Sequence, residues 1–160
     1  MKPRDIYADY VLARQVTALE RQEILTLLGQ RMPNHNIKLF TNNMQTNIAG
    51  VKTYGQVDYN MEMPYVFANS KINLNITLKS IKTGIPLRVF DIMGSKGFLL
   101  TNYQEEMLQY FEPGVDFVYY ENYEDLLSKV EYYLMHEEER LAIAENGYRK
   151  VCEEHSIEMR

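Results

Sequence analysis

Short apolar strands alternate with helical stretches along most of this chain, and that order limits the fold more than any other feature. Strands separated by helices run parallel, because each crossover returns the chain to the same end of the sheet. A parallel sheet then needs cover on both faces. The expected fold class is therefore α/β, a Rossmann-like parallel sheet with helices on both faces.

A helix is predicted over 5–32, where Tyr10, Val11, Ala13, Val16, Leu19, Ile24, Leu27 and Leu28 recur at helical spacing. It stops before Pro33, and a strand follows over 37–41. Residues 42–60 are polar, contain Gly50 and Gly55, and read as loop. A short helix is expected over 62–69. Residues 72–78 alternate strictly, with Ile72, Leu74, Ile76 and Leu78 on one face and Asn73, Asn75 and Thr77 on the other. That is a strand.

A loop over 79–85 leads to a helix over 86–93, opened by Pro86 and closed at Gly94. Beyond it the pattern gives a strand over 98–101, a helix over 104–111, a turn at Pro113-Gly114 and a strand over 116–120. Helices over 124–136 and 137–154 complete it. With 160 residues, nearly half of them hydrophobic, the chain is long enough for one domain over 1–160, with 1–32 as an N-terminal helix.

The lone Cys152 excludes an internal disulfide and a multi-cysteine metal site, and points to a reducing, cytoplasmic setting. A net charge of -5 argues against nucleic acid as a partner. No apolar run approaches the ~18 residues of a transmembrane segment. The first residues lack the pattern of a signal peptide.

The helix over 86–93 carries the chemistry. Leu87, Val89, Phe90, Ile92 and Met93 are expected to bury most of its circumference, while Arg88 and Asp91, three apart, share the remaining face. Its first N–H groups and positive dipole end suit an anion. Lys79, Ser80, Lys82, Thr83 and Gly84 precede it, beyond the carboxyl end of a strand, where ligands of open parallel sheets bind. One reading seats a diphosphate at the helix start, with Asp91 about a turn deeper accepting ribose hydroxyls. The other pairs Arg88 with Asp91 at a solvent edge and leaves the lysines as surface charges. The pattern alone leaves both open.

The stretch Ser70-Lys71-Ile72-Asn73-Leu74-Asn75, continued by GIPLRVFDIMGSKGFLLTNYQEE, resembles the C-terminal domain of bacterial glycosyltransferases of the spore-maturation-protein type. These belong to the group 1 superfamily with the two-domain GT-B fold. YFEPGVDFVYYENYEDLLSKVEYYL and HEEERLAIAENGYRKV are similar to the family's closing strand and helices, so the likeness runs over about 54–155.

The resemblance implies that the chain binds a nucleotide-diphosphate sugar as donor, for transfer of the sugar to an unidentified acceptor, with neither metal nor further cofactor. It implies that Asp91 holds the ribose and that Arg88 faces the diphosphate as the catalytic group. Lys82, Thr83, Gly84, Ile85 and Lys96 join them in the donor-binding set. Better-known relatives carry an acid where Thr83 stands, and a small residue where Lys96 stands. The family's N-terminal acceptor domain has no counterpart in these 160 residues, so it is an expected partner if the chain is a fragment. The alternative is a non-catalytic Rossmann-like interaction domain that has lost donor binding.

Other signals carry less. His136-Glu137-Glu138-Glu139-Arg140 lacks the second histidine of a zinc-protease helix and reads as a helix start with acids at its positive end. His35 and His155 are isolated in sequence. Most of the thirteen tyrosines fit packing positions; Tyr103, just past a predicted strand end, is the better candidate for a ligand contact.

Overall fold

Among the described residues the strands form two parallel sheets, each in its own compact unit of the chain. The computed structural model describes residues 3–77 and 84–154. One unit takes in the described residues up to Asp58, and the other takes in Tyr59–Thr77 with the described residues from Gly84 onward.

The first unit contains α1 (Pro3–Arg31), β1 (Ile37–Phe40) and β2 (Val51–Tyr54). Thr17, Ile24 and Leu28 form the buried stripe of α1, continued by Met32, whereas Val16 and Leu19 of the expected apolar face are exposed. Thr17 belongs in that stripe because its hydroxyl donates to the Ala13 carbonyl at 2.8 Å, so no polar group is left unmet. β2 lies where the sequence reads as loop. Its four residues are too few to show a period among polar neighbours, and pairing with β1 in the register Ile37↔Val51 to Phe40↔Tyr54 decides the matter. The rings of Phe40 and Tyr54 stack at 5.3 Å at the end of that ladder.

The second unit runs α2 (Met63–Asn69), β3 (Asn73–Asn75), α3 (Leu87–Gly94), β4 (Leu99–Asn102), α4 (Met107–Tyr110), β5 (Val118–Tyr120), α5 (Tyr123–Met135) and α6 (Glu137–Glu154). β3, β4 and β5 pair in that order, all parallel, with helices in the connections. Leu99, Leu100 and Thr101 are buried in succession, as expected of a central strand covered on both faces. The α/β, Rossmann-like reading of the sequence holds. Phe67, Val89, Ile92, Met93, Leu99 and Phe117 belong to one continuous core that joins α2 and α3 to the sheet.

β3 departs from the expected pattern. Asn73, Asn75 and Thr77, the polar face of the alternation, are all buried, while on the other face Ile72 and Leu74 are partly exposed and Ile76 is buried. Hydrogen bonds make this possible. The Asn73 amide donates to the carbonyls of Phe67 (3.0 Å) and Phe98 (3.3 Å), tying α2 to the entry of β4. The Asn75 amide donates to the hydroxyls of Thr77 and Thr101, both at 3.1 Å, and the Thr77 N–H donates to the Asn102 side chain at 2.8 Å. Satisfied in this way, the polar face fastens β3 to β4 at little desolvation cost.

Two backbone features set α3 in place. Gly147 on α6 passes so close that a Cβ there would lie 2.9 Å from Met93 Cε and would also strike the Asp116 carbonyl. At its carboxyl end, Gly97 N–H returns to the Ile92 carbonyl at 2.9 Å and Lys96 N–H to the Met93 carbonyl at 3.0 Å, a Schellman closure. The left-handed residue of that closure is Lys96, at φ 58, a position glycine usually fills.

Both features are testable by chemical denaturation. Gly147→Ala is expected to cost about 1–3 kcal/mol, because the nearest obstacle is the Asp116 backbone carbonyl rather than the end of a flexible side chain. Lys96→Gly is expected to raise the unfolding midpoint, since it relieves a left-handed non-glycine residue and gives up only surface contacts, an ion pair with Glu145 and the approach to the Tyr148 ring.

Candidate functional site

α3 begins without a side-chain cap. Pro86, at φ -59 and ψ 139, is the cap residue, and its carbonyl accepts the Val89 N–H at 2.9 Å. The helix proper thus starts at Leu87, one residue later than expected. Val89, Ile92 and Met93 are fully buried. Leu87 is 74% exposed, contrary to the sequence reading, because its position lies off the face defined by those three residues. Phe90 and Ile85 are partly buried against the core.

Arg88 and Asp91 share one partly exposed face of α3. Among the described residues no ion pair joins them; each has another partner. The Arg88 guanidinium carbon lies 5.5 Å from the ring centroid of Phe67, in α2, and 5.7 Å from that of Tyr59, in the turn before α2. Tyr59 also donates its hydroxyl to Asp91 Oδ2 at 2.6 Å. That bond to Asp91, helped by partial burial, pushes the Tyr59 phenol above its ordinary value, with Arg88 opposing. The phenol therefore remains a donor throughout the neutral range.

Gly84 is exposed and has φ 91, which an L-residue would adopt only with strain. Its N–H donates to the Glu106 carboxylate, so an acidic oxygen lies on the backbone just before α3. Lys82 and Thr83, with Lys79 and Ser80, fall outside the described residues. Lys96 is held elsewhere: its ammonium pairs with Glu145 at 3.0 Å and lies 4.5 Å from the Tyr148 ring centroid. The structure thus brings together Gly84, Ile85, Arg88 and Asp91 at α3 and gives the Lys96 side chain to α6.

Two residues of this arrangement were not legible in sequence. Tyr59 sits in a polar stretch 32 residues before Asp91, and no local period links the two. Glu106 is 22 residues beyond Gly84 and reads as an ordinary surface acid. Tyr103 is partly exposed at the end of β4, where its ring meets that of Tyr119 edge-on at 5.2 Å. The acidic helix start expected at His136 is seen as the junction of α5 and α6. His136 stacks on Tyr132 at 3.8 Å, and the buried Arg140 donates to the Tyr133 carbonyl at 2.9 Å. Among the described residues no helix is long and apolar enough to cross a membrane.

Comparison with known proteins places the chain in a family. No protein of curated function matches the sequence. Among solved structures, the chain is similar to the C-terminal domain of a glycosyl transferase group 1 family protein, LpcC, from Francisella tularensis, at a TM-score of 0.56 and 19% identity. The similarity covers 68% of this chain and 55% of that one, so the chain spans about half of the structure it matches. At that identity the likeness speaks for the fold, one half of a GT-B architecture. The sequence itself goes further. Residues 14–160 match the family described as glycosyl transferase-like, and the chain belongs to that family.

Proposed function

We propose that this chain is the donor half of a glycosyltransferase, binding a nucleotide-diphosphate sugar whose sugar passes to an acceptor held by a separate N-terminal domain. The observation that carries this reading is the polar face of α3: Arg88 and Asp91 lie side by side on a deeply anchored helix and are not paired with each other. A buried helix that keeps two opposite charges apart on its one accessible face is arranged for a ligand with both an anionic and a hydroxylic part. A nucleoside diphosphate has both.

In this reading Asp91 accepts bonds from the ribose hydroxyls and takes no part in bond breaking. Arg88 and the amino end of α3, with Gly84 and Ile85 at its approach, stabilise the charge that builds on the departing diphosphate. Lys82 and Thr83 belong to the same approach by sequence. Lys96 enters the site only by releasing Glu145. No metal is assigned to the reaction, since the cationic work falls to Arg88 and the helix end. Transfer itself needs the acceptor held against the donor, which the matching domain supplies. The resemblance to the spore-maturation type suggests a bacterial enzyme, and the single cysteine suits the cytoplasm.

Calorimetric titration with uridine, guanosine and thymidine diphosphates and their sugars tests the proposal. At least one is expected to bind in the micromolar to millimolar range. Asp91→Ala and Arg88→Ala should each weaken it by roughly tenfold or more, the scale of a lost charge-assisted hydrogen bond. Binding by none of the panel, or binding indifferent to both substitutions, would leave the non-catalytic interaction domain as the better account.

A further inference from the structure

Arg88 and Asp91 stand at a spacing where oppositely charged side chains of a helix ordinarily reach each other. Left alone, they would neutralise each other and offer a ligand little. Tyr59 touches both. Its ring centroid and that of Phe67 lie 5.7 Å and 5.5 Å from the guanidinium carbon, and its hydroxyl lies 2.6 Å from Asp91 Oδ2. Phe67 is buried in the core and so gives the stack a fixed base, while Tyr59 is half exposed.

The chemistry of each contact leaves capacity on both charges. Stacking engages the faces of a guanidinium and leaves the N–H donors at its rim for an anion. A phenol on one carboxylate oxygen occupies one of about four acceptor positions, so Oδ1 remains for hydroxyl donors. The bond from Tyr59 also fixes the rotation of the carboxylate. A short O–H···O⁻ bond of this kind is charge-assisted, and the raised phenol value is its counterpart in the donor.

We infer that Tyr59 is a positioning residue of the donor site, holding Asp91 by its hydroxyl and Arg88 by its ring so that both face a ribonucleoside diphosphate rather than each other. The inference rests on the donor-site reading above. It assigns a role to a residue outside α3, in the turn that precedes α2.

The test is calorimetry on the whole chain with uridine and guanosine diphosphates and their 2′-deoxy counterparts, comparing native protein, Tyr59→Phe, Asp91→Ala and the double variant. Tyr59→Phe keeps the ring and removes only the hydroxyl, from a residue outside the core, so the fold should persist. Binding of the ribonucleotide is expected to fall about 3–10-fold, the range of one hydrogen bond, and its preference over the 2′-deoxy form to shrink. The double variant should bind no more weakly than Asp91→Ala alone, because the hydroxyl acts through that carboxylate.

Equal losses for the ribose and deoxyribose forms, or losses that add in the double variant, would show a merely structural role and overturn the inference. Unchanged binding in Tyr59→Phe would overturn it as well. So would tighter binding, since the phenol would then be occupying the place of the ribose. In each of these cases a native chain that binds and an Asp91→Ala variant that binds more weakly would leave the donor-site reading standing. No binding by the native chain, or binding unaffected by Asp91→Ala, brings down that reading and this inference together.

Discussion

Val89, Ile92 and Met93 bury one face of α3 so completely that the helix has a single rotational setting about its axis. Everything proposed for the site follows from that setting. With those three residues inward, Arg88 and Asp91 can only lie on the accessible side, beside Phe67 of α2 and the Tyr59 turn. The close approach of α6 at Gly147 and the closure at Lys96 fix the position of the helix along its axis. A loosely packed α3 would be free to roll, and Arg88 and Asp91 would then leave the Tyr59 and Phe67 contacts that engage each of them. Rigid packing is what allows a charge pair to remain divided.

The second unit also shows how polar residues are used inside a sheet. Asn73, Asn75 and Thr77 line the buried side of β3, where leucines would ordinarily stand. Each has a specific partner in β4, in α2 or in its own strand, so the ladder and the side chains select the same register. A slip by one residue would strand these amides without partners, each at a cost of about 1–3 kcal/mol. The carboxyl end of β3, from which the approach to α3 departs, is thereby held in one place.

Membership in the glycosyl transferase-like family and the fold shared with the LpcC C-terminal domain account for the α/β scaffold. The proposed division of labour is economical. Backbone and dipole at the start of α3 meet the diphosphate, one arginine adds charge, and one carboxylate reads the sugar of the nucleoside. At the approach to α3 the Gly84 N–H donates to the Glu106 carboxylate.

Much of this was legible in the residues. The alternation of strands and helices determined the parallel α/β class, because helical and strand periods differ and parallel pairing follows from the connections. The PLRVFD stretch identified Arg88 and Asp91 as one face of one helix, a matter of spacing alone. Tertiary structure decided the rest. β2 exists because β1 is there to pair with it, and four residues carry no period of their own. The polar side of β3 is the inner one because its hydrogen-bond partners lie mainly outside the strand, which no alternation of residue types can reveal. Leu87 is exposed because burial depends on which neighbours α3 meets, and hydrophobicity does not specify them. Tyr59 reaches Asp91 across 32 residues of chain. Such a contact is made by the packing of whole elements, and local sequence, which records only what near neighbours can do, holds no trace of it.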